Sequence, residues 1–467
     1  MNIQPASSPE TDARGVTARL AAFATAPVAD ADAGDGVPGA LAIPAEVRAV
    51  ARLSLLDWLA CGLAGAGEPV ARIVRDEALG DGGAPHAALF GGGRAPAQAA
   101  ALVNGTTAHA LDYDDTHFLH IGHPSVAVAP AALAVAERVG APLGAFLDAY
   151  TIGVEASCRL GAWLGRAHYE AGFHQTGTAG AFGATVAAGR LMGLDAAHMA
   201  HALGLAATRA GGLKSQFGTM GKPMNAGFAA ANGVICAALA ARGAVSTPEG
   251  IEAAQGFGPT HAGAADAAAL VPLGRDWAWP AISHKLHACC HGLHAGIEAL
   301  HRVATEARAA GHDPATAVEV TITTHPRWLA VCNLERPATG LEAKFSYRLA
   351  AAMALTGTDT ARLDSYTDTL CHERGLVALR DRVRVKSDAS LPDTAARVRV
   401  RLAEGAERTG AHDIAYPGDM ATRTAGVRAK AAALMGAGPE AAAWQILGAP
   451  RSASVAALAA ILGGETA

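Results

Sequence analysis

The chain has 467 residues, of which 51% are hydrophobic and 17% charged. Disorder needs low hydrophobicity with high charge, so a largely disordered chain is excluded, and the length allows two or three domains. With 37 basic against 42 acidic residues and a net charge of −5, the basic excess of a general nucleic-acid binder is missing. No basic amphipathic face marks a membrane-surface protein either.

In chain order, residues 1–15 read as a frayed polar start. MNIQPASSPETDARG has no basic beginning followed by an apolar run, so no signal peptide is expected and a soluble, cytoplasmic protein is. From Val16 to about Leu270 the pattern is helical. Val47–Gly65 carries apolar residues on a helical period. Gly140 and Gly144 mark a break before a helix at Ala145–Trp163, and further helices are predicted at Thr178–Met192, Ala196–Thr208 and Asn225–Arg242. Alanine is the commonest residue and glycine supplies 54 positions, which points to close-packed helices. The uncharged stretch Met224–Ala241 contains Asn225 and Asn232 and reads as a buried core helix rather than a membrane span.

The pattern changes after Trp277. VEVTIT at Val318–Thr323, RVRVK at Arg382–Lys386 and RVRVRL at Arg397–Leu402 alternate apolar with polar residues. They predict a half-buried antiparallel sheet with Arg and Lys on one face and Val on the other. Helices are expected at His294–Ala309 and Phe345–Leu355, and again from Ala421 onward. The fold class is therefore mainly α with an α+β part. A large all-helical domain is built from both chain ends, 1–274 and 420–467, and a smaller α+β domain, 275–419, is inserted between them. The seven cysteines are odd in number and form no CxxC pair, which argues against a secreted disulfide framework, a zinc ribbon or a three-Cys iron–sulfur site.

Five segments could carry chemistry. Asn104–Ser125, NGTTAHALDYDDTHFLHIGHPS, gathers Asp112, Asp114 and Asp115 with His109, His117, His120 and His123. Carboxylates and imidazoles so close can shift one another's pKa and act as acid–base pairs; a metal site or a plain capped helix end are the alternatives. In Gly172–Gly180, GFHQTGTAG, Thr176 or Thr178 could cap a helix whose N-terminus offers N–H groups to a carboxylate, with His174 at its mouth. Gly211–Gly227, GGLKSQFGTMGKPMNAG, brings Lys214 and Lys222 on a glycine-rich loop. It is not a phosphate loop, because Pro223 follows Lys222. Lys285–His294, KLHACCHGLH, holds His287, His291 and His294 beside Cys289 and Cys290. Metal ligation or substrate orientation are both open there, although the glutamate of HExxH is missing. Glu342–Tyr347, EAKFSY, opens a helix; Lys344 and Tyr347 could face a cleft, but the spacing alone favours a solvated helix start. For each segment a capped turn or solvated loop is the bland alternative.

Together and in this order, the five segments resemble the MmgE/PrpD family, which includes 2-methylcitrate dehydratases, cis-aconitate decarboxylases and iminodisuccinate epimerases. The likeness runs from about Leu53 to Lys430. Its specific pieces are NGTTAHALDYDDTH with HPS, GFHQTGTAG, FGTMGKPMNAG, the Lys285–Cys290–His294 spacing and EAKFSY. The resemblance implies an active site between the helical domain and an α+β lid, a homodimer, no metal and no organic cofactor. It places catalytic positions on Asp112, His123, His174 and Lys222. Substrate-binding positions would be Thr116, Lys285, His291, His294, Lys344 and Tyr347, with Cys290 in the same stretch. Ala288 stands where proline is frequent, and HACCHG departs from several members. The implied activity is proton abstraction next to a carboxylate of a small di- or tricarboxylate, foremost by a 2-methylcitrate dehydratase-like lyase. An epimerase of the iminodisuccinate type or a cis-aconitate decarboxylase-like enzyme are alternatives. More distant ones are a metal-dependent hydrolase and a non-catalytic polycarboxylate-binding protein.

Overall fold

The structure, a computed structural model, describes residues 15–29, 39–416 and 418–463. Apart from Gly15, the expected frayed start lies outside the described residues. Small side chains set the packing of the first half. Its helices are α1 (Val16–Thr25), α2 (Ala45–Gly65), α3 (Pro69–Asp81), α4 (Ala97–His109), α5 (Ser125–Val139), α6 (Leu143–Glu170), α7 (Gln175–Leu191), α8 (Ala196–Arg209), α9 (Gly221–Ala240) and the short α10 (Phe257–Thr260). Where α4 crosses α9, a Cβ on Gly105 would lie 3.0 Å from the Cα of Gly227. Where α6 crosses α7, a Cβ on Gly183 would lie 2.6 Å from the carbonyl oxygen of Gly153. Larger residues at these crossings would push the helices apart and move the starts of α7 and α9, which carry site residues.

Helix α9 is long and apolar enough to cross a membrane, but two thirds of its most apolar stretch is buried, as fits the core helix expected there. It begins at Gly221 rather than Asn225. Helix α7 likewise begins three residues earlier than predicted, at Gln175, and α6 runs from Leu143 to Glu170 rather than from Ala145 to Trp163. The extension of α6 is not a plain continuation, because Gly165 inside it has φ 70° and ψ −173°.

Short strands tie the halves of the chain together. Strands β1 (Ala87–Ala88) and β2 (Arg94–Ala95) form a small hairpin. Strand β3 (Thr116–His117) pairs antiparallel with β4 (Ile282–Ser283), so that Thr116 faces Ser283 across 167 residues of sequence. Beyond β4 come α11 (His291–Ala309), β5 (Glu319–Thr324), α12 (Gly340–Ala343), α13 (Tyr347–Thr356), α14 (Asp368–Cys371), α15 (Arg374–Arg380), β6 (Val383–Ser387), β7 (Ala395–Arg401) and β8 (Glu407–Asp413). Helices α16 (Met420–Met435), α17 (Ala437–Leu447) and α18 (Ala456–Leu462) close the described chain.

The sheet order is β6–β5–β7–β8. The alternation of RVRVRL holds, with Val398 and Val400 buried and the arginines between them exposed. The expected all-antiparallel sheet does not hold: β5 pairs parallel with β6 and antiparallel with β7. Helices α12–α15 lie between β5 and β6 and are long enough to return the chain for a parallel pairing. Strand β8, ERTGAHD, was not predicted, since Gly and charged residues weaken its strand signal. It lies under α11, where a Cβ on Gly410 would sit 2.9 Å from the carbonyl oxygen of Ala299.

The protein is thus mainly α with a smaller β component, and its buried apolar residues form two main clusters. One joins α1–α9 to Val427 and Ala431 of α16 and Leu458 of α18. The other joins Leu293, Ile297 and Leu300 of α11 to Val320 and Ile322 of β5 and Met353 of α13.

One buried ion pair locks α16 to α2. Lys430 Nζ lies 2.5 Å from Asp57 Oδ1, both side chains being 1% exposed, and it also donates to the carbonyl of Tyr113 at 2.5 Å. Lys430→Met removes a cation and leaves a buried carboxylate and carbonyl without it, which should cost about 3–5 kcal/mol in urea unfolding. Adding Asp57→Asn to that variant should recover part of the loss. A single-variant cost under about 1 kcal/mol would show that this pair does not hold α16 in place.

Candidate active site

Helix α4 ends at His109, and the next loop turns sharply. Asp112 has φ 51° and Ile121 φ 53°, a left-handed backbone that side chains other than glycine rarely adopt. Such outliers persist only where the surroundings hold them, and they concentrate at functional sites. The surroundings of Asp112 are two lysines and a histidine. Lys222 Nζ is 2.5 Å from Asp112 Oδ1, Lys285 Nζ is 3.2 Å away and His123 Nε2 is 3.3 Å away. Lys285 also donates to the Asp112 carbonyl at 2.5 Å. Asp112 keeps 52% of its side-chain surface open while these partners keep 17%, 4% and 11%. Desolvation pulls its pKa up, but Lys222, then Lys285, then His123 outweigh this and hold the carboxyl well below the usual range.

A second carboxylate stands behind the first. His109 Nδ1 is 2.8 Å from Asp114 Oδ1, and His123 Nδ1 is 3.1 Å from Asp114 Oδ2. The latter is an ion-pair approach without the alignment of a hydrogen bond. Burial raises the pKa of Asp114, yet His109 and His123 hold it well below the usual range. His123 is pushed down to about 4 by burial, against the opposing pull of Asp114. Its imidazole is therefore neutral at neutral pH. Its Nδ1 lies toward Asp114 and its Nε2 toward Asp112.

Beside this cluster is a cavity of about 260 Å³. Lys222, His123, His174, Thr116 and His291 line it. Three helices begin at this cavity: His174 is the residue before α7, Lys222 lies in the first turn of α9 and His291 starts α11. The positive ends of their dipoles favour an anion there. His174 and His291 are both held well below the usual histidine range, chiefly by burial. Thr176 and Thr178 do not cap α7 as expected. They lie inside its first turn, where Thr176 Oγ1 accepts the His123 N–H at 3.0 Å and Thr178 Oγ1 meets His168 Nε2 at 2.9 Å.

The structure thus brings together Asp112, His123, Lys222 and Lys285, with His174, Thr116 and His291 on the same cavity. Three expected residues lie elsewhere. His294 is one helical turn beyond His291, is buried, and turns its Nε2 to the Cys289 carbonyl at 3.3 Å. Tyr347 is 1% exposed and donates its hydroxyl to the Gly292 carbonyl at 2.6 Å, so it props the first turn of α11 from inside the core. Lys344 lies over the Tyr366 ring, 5.7 Å from its centroid, outside the cavity lining. The sequence spacing of EAKFSY put both on a helix start, but the fold turns that start toward the second core. Cys290 precedes α11, and its N–H is bound by the Lys344 carbonyl at 3.0 Å. His109 and Asp114 belong to the site although only their cluster, not their roles, was legible. Arg166, Arg327 and Trp328, which also line the cavity, carried no local signal.

His109, Asp112, Asp114 and His123 offer ligand atoms that all lie within 4.8 Å of one another, a spacing that a metal ion would accept. The chemistry of the set argues otherwise. Lys222 and Lys285 already hold Asp112, and a dication there would sit against both ammonium groups.

Comparison with known proteins gives the family. The MmgE/PrpD N-terminal domain matches residues 40–269 and the MmgE/PrpD C-terminal domain matches residues 287–446. The chain belongs to the MmgE/PrpD family. It is 33% identical over 285 residues to the cis-aconitate decarboxylase-like protein oryM of Aspergillus oryzae, covering 56% of this chain and 58% of that protein. It is 31% identical over 280 residues to a cis-aconitate decarboxylase of Aspergillus terreus, covering 55% and 56%. It is 33% identical over 174 residues to human cis-aconitate decarboxylase, covering 36% of each. The aligned part is little more than half the length of the two fungal relatives and about a third of the human one.

If the ammonium groups take the place of a metal, exhaustive dialysis against a chelator should leave the melting temperature unchanged. A fall that is reversed on adding zinc would overturn that assignment.

Proposed function

We propose that this protein is a lyase that needs no metal or organic cofactor and decarboxylates a small tricarboxylate of the cis-aconitate type. The observation that carries the reading is the Lys222–Asp112–Lys285 clamp with a neutral His123 beside it, at the start of three helices. The names of the relatives favour decarboxylation over the dehydration that the sequence motifs put first.

The chemistry follows from the substrate. In cis-aconitate one carboxylate sits on a methylene group attached to the alkene. When it leaves as carbon dioxide, its electron pair moves through the alkene to the carbon beside the opposite carboxylate. Charge then builds on that carboxylate as an enediolate, and a cation fixed in place lowers the barrier. Lys222 is the cation on the cavity wall, and Lys285 backs it through Asp112. A proton delivered to the enediolate carbon completes the product, and the Lys222 ammonium is placed to supply it. Dehydration and epimerisation pass through the same enediolate but begin with removal of a proton, for which His123 Nε2 is the base. His123 also keeps Asp112 company without competing for it. Protonated, its Nε2–H would bond to Asp112 and draw that carboxylate from Lys222.

Proton NMR in deuterated water with cis-aconitate, 2-methylcitrate and iminodisuccinate, each alone, tests the reading. The expected result is loss of one carboxylate from cis-aconitate with one deuterium in the product. Water loss from 2-methylcitrate, or deuterium washed into an unchanged iminodisuccinate skeleton, would replace it with one of the other two reactions. Lys222→Ala should lower kcat/KM about 10²–10³-fold, as expected for one electrostatic stabiliser. His123→Ala should lower water loss or deuterium wash-in, where His123 is the base, about 10²-fold or more, and decarboxylation less than Lys222→Ala does. Near-wild-type rates in a folded variant would remove that residue from the mechanism.

The depressed pKa of His123 sets the pH profile. A group lowered to about 4 stays neutral down to that pH. The acid limb of kcat/KM should therefore fall below about pH 5 rather than near 6.5. A limb centred near 6.5 would show an unshifted imidazole.

A further inference from the structure

At the floor of the site Lys222 and Lys285 both pair with Asp112, while Asp114 pairs with His109 and His123. Desolvation holds the imidazoles of His123, His174 and His291 below the usual histidine range. At the mouth, Arg327 pairs with Asp393 and lies 4.9 Å over the Trp328 ring. A trianion entering this cavity would find both lysines already engaged by Asp112 and Arg327 engaged by Asp393.

Arg166 differs. It lines both the inner cavity and a recess outside it, is exposed, and has no hydrogen-bond, ion-pair or ring partner among the described residues. Glu170, four residues on, borders the outer recess but not the cavity.

The fold aims Arg166 deliberately. Helix α6 is broken at Gly165, whose φ of 70° few other residues accept. The carbonyls that the break leaves unpaired are bound elsewhere. Trp163 accepts from Asp266 N at 3.2 Å, Leu164 from Ala264 N at 2.8 Å and Gly165 from Gln175 Nε2 at 2.9 Å. The segment beyond the break then presents Arg166 and Tyr169, three residues apart, to the cavity. Lys214 steadies Tyr169 from the far side, 3.8 Å over its ring and 3.0 Å from its carbonyl oxygen.

We propose that Arg166 is the specificity-determining cation of the site, binding the substrate carboxylate that does not lie on the lysines, so that the site selects tricarboxylates over dicarboxylates. The inference rests on the polycarboxylate-lyase reading above. A guanidinium can hold a carboxylate through two parallel N–H bonds, which suits a group that must choose by charge and shape at once.

The test is calorimetric titration of the full chain with cis-aconitate, and with the dicarboxylates citraconate and itaconate. Wild type should bind the tricarboxylate more tightly than either dicarboxylate. Arg166→Ala should weaken cis-aconitate roughly 10- to 100-fold, the worth of a hydrogen bond to a charged group, and the dicarboxylates less than about 3-fold. Arg166→Lys should restore part of the loss, and in turnover the change should fall on KM rather than kcat. Arg166 is exposed, so its variants should keep the wild-type melting temperature. Equal weakening of all three ligands, or none, would overturn the inference while leaving the lyase reading intact. If wild type binds none of them and Lys222→Ala behaves identically, the polycarboxylate reading itself falls, and this inference with it.

Discussion

The site depends on one carboxylate held by two cations. Asp112 sits in a backbone conformation that costs on the order of 1–3 kcal/mol, and it stays there because Lys222 and Lys285 meet it from separate parts of the chain. Lys222 comes from the start of α9, whose position follows from the glycine crossing with α4. Lys285 comes two residues after β4, whose pairing with β3 fixes its register to Thr116. Because Lys285 grips both the carboxylate and the carbonyl of Asp112, moving either strand would undo the clamp.

The neighbouring residues are anchored just as firmly, each to a different element. The Tyr113 carbonyl takes Lys430 of α16, Asp114 takes His109 of α4, and Asp115 takes the Ser125 hydroxyl of α5 at 2.5 Å. Burial raises Asp115 to about 7 and Asp57, the partner of Lys430, to about 6. Four consecutive residues, Asp112 to Asp115, are thus held by five partners, so the loop is organised before any ligand arrives. Preorganisation of this kind is what makes electrostatic stabilisation effective, since the dipoles and charges need not reorient as the reaction proceeds.

Much of this was legible in the sequence because the chemistry is dense. Three aspartates and four histidines between His109 and His123 stand out in any reading, and lysines beside glycines at Lys222 mark a backbone built for close approach. The same local logic failed where the fold, not the spacing, decides direction. EAKFSY looks like a helix start, solvated or facing a cleft, yet the Tyr347 hydroxyl is committed to Gly292 and Thr324 inside the second core. RVRVK looks antiparallel to its neighbours, yet four helices carry the chain back to a parallel register. Arg166 was invisible for a similar reason. It falls three residues beyond the helix predicted to end at Trp163, and the break at Gly165 precedes the segment that brings it to the cavity.

These differences bear on how one site can host related reactions. On the proposed reading the floor stabilises an enediolate, and an enediolate is common to decarboxylation, dehydration and epimerisation. Residues that serve the shared intermediate cannot choose among the three. The choice falls to whichever group leaves first, and that depends on which carbon of the substrate is set over Lys222. Orientation is settled at the other end of the ligand, at the mouth, where the segment after Gly165 faces Arg327 and Trp328 across the cavity. A change there would alter the substrate without touching the clamp. A change in the clamp would lower every reaction of this kind at once. On that reading, catalytic power lies in the anchored loop and selectivity in the segment that follows the break at Gly165.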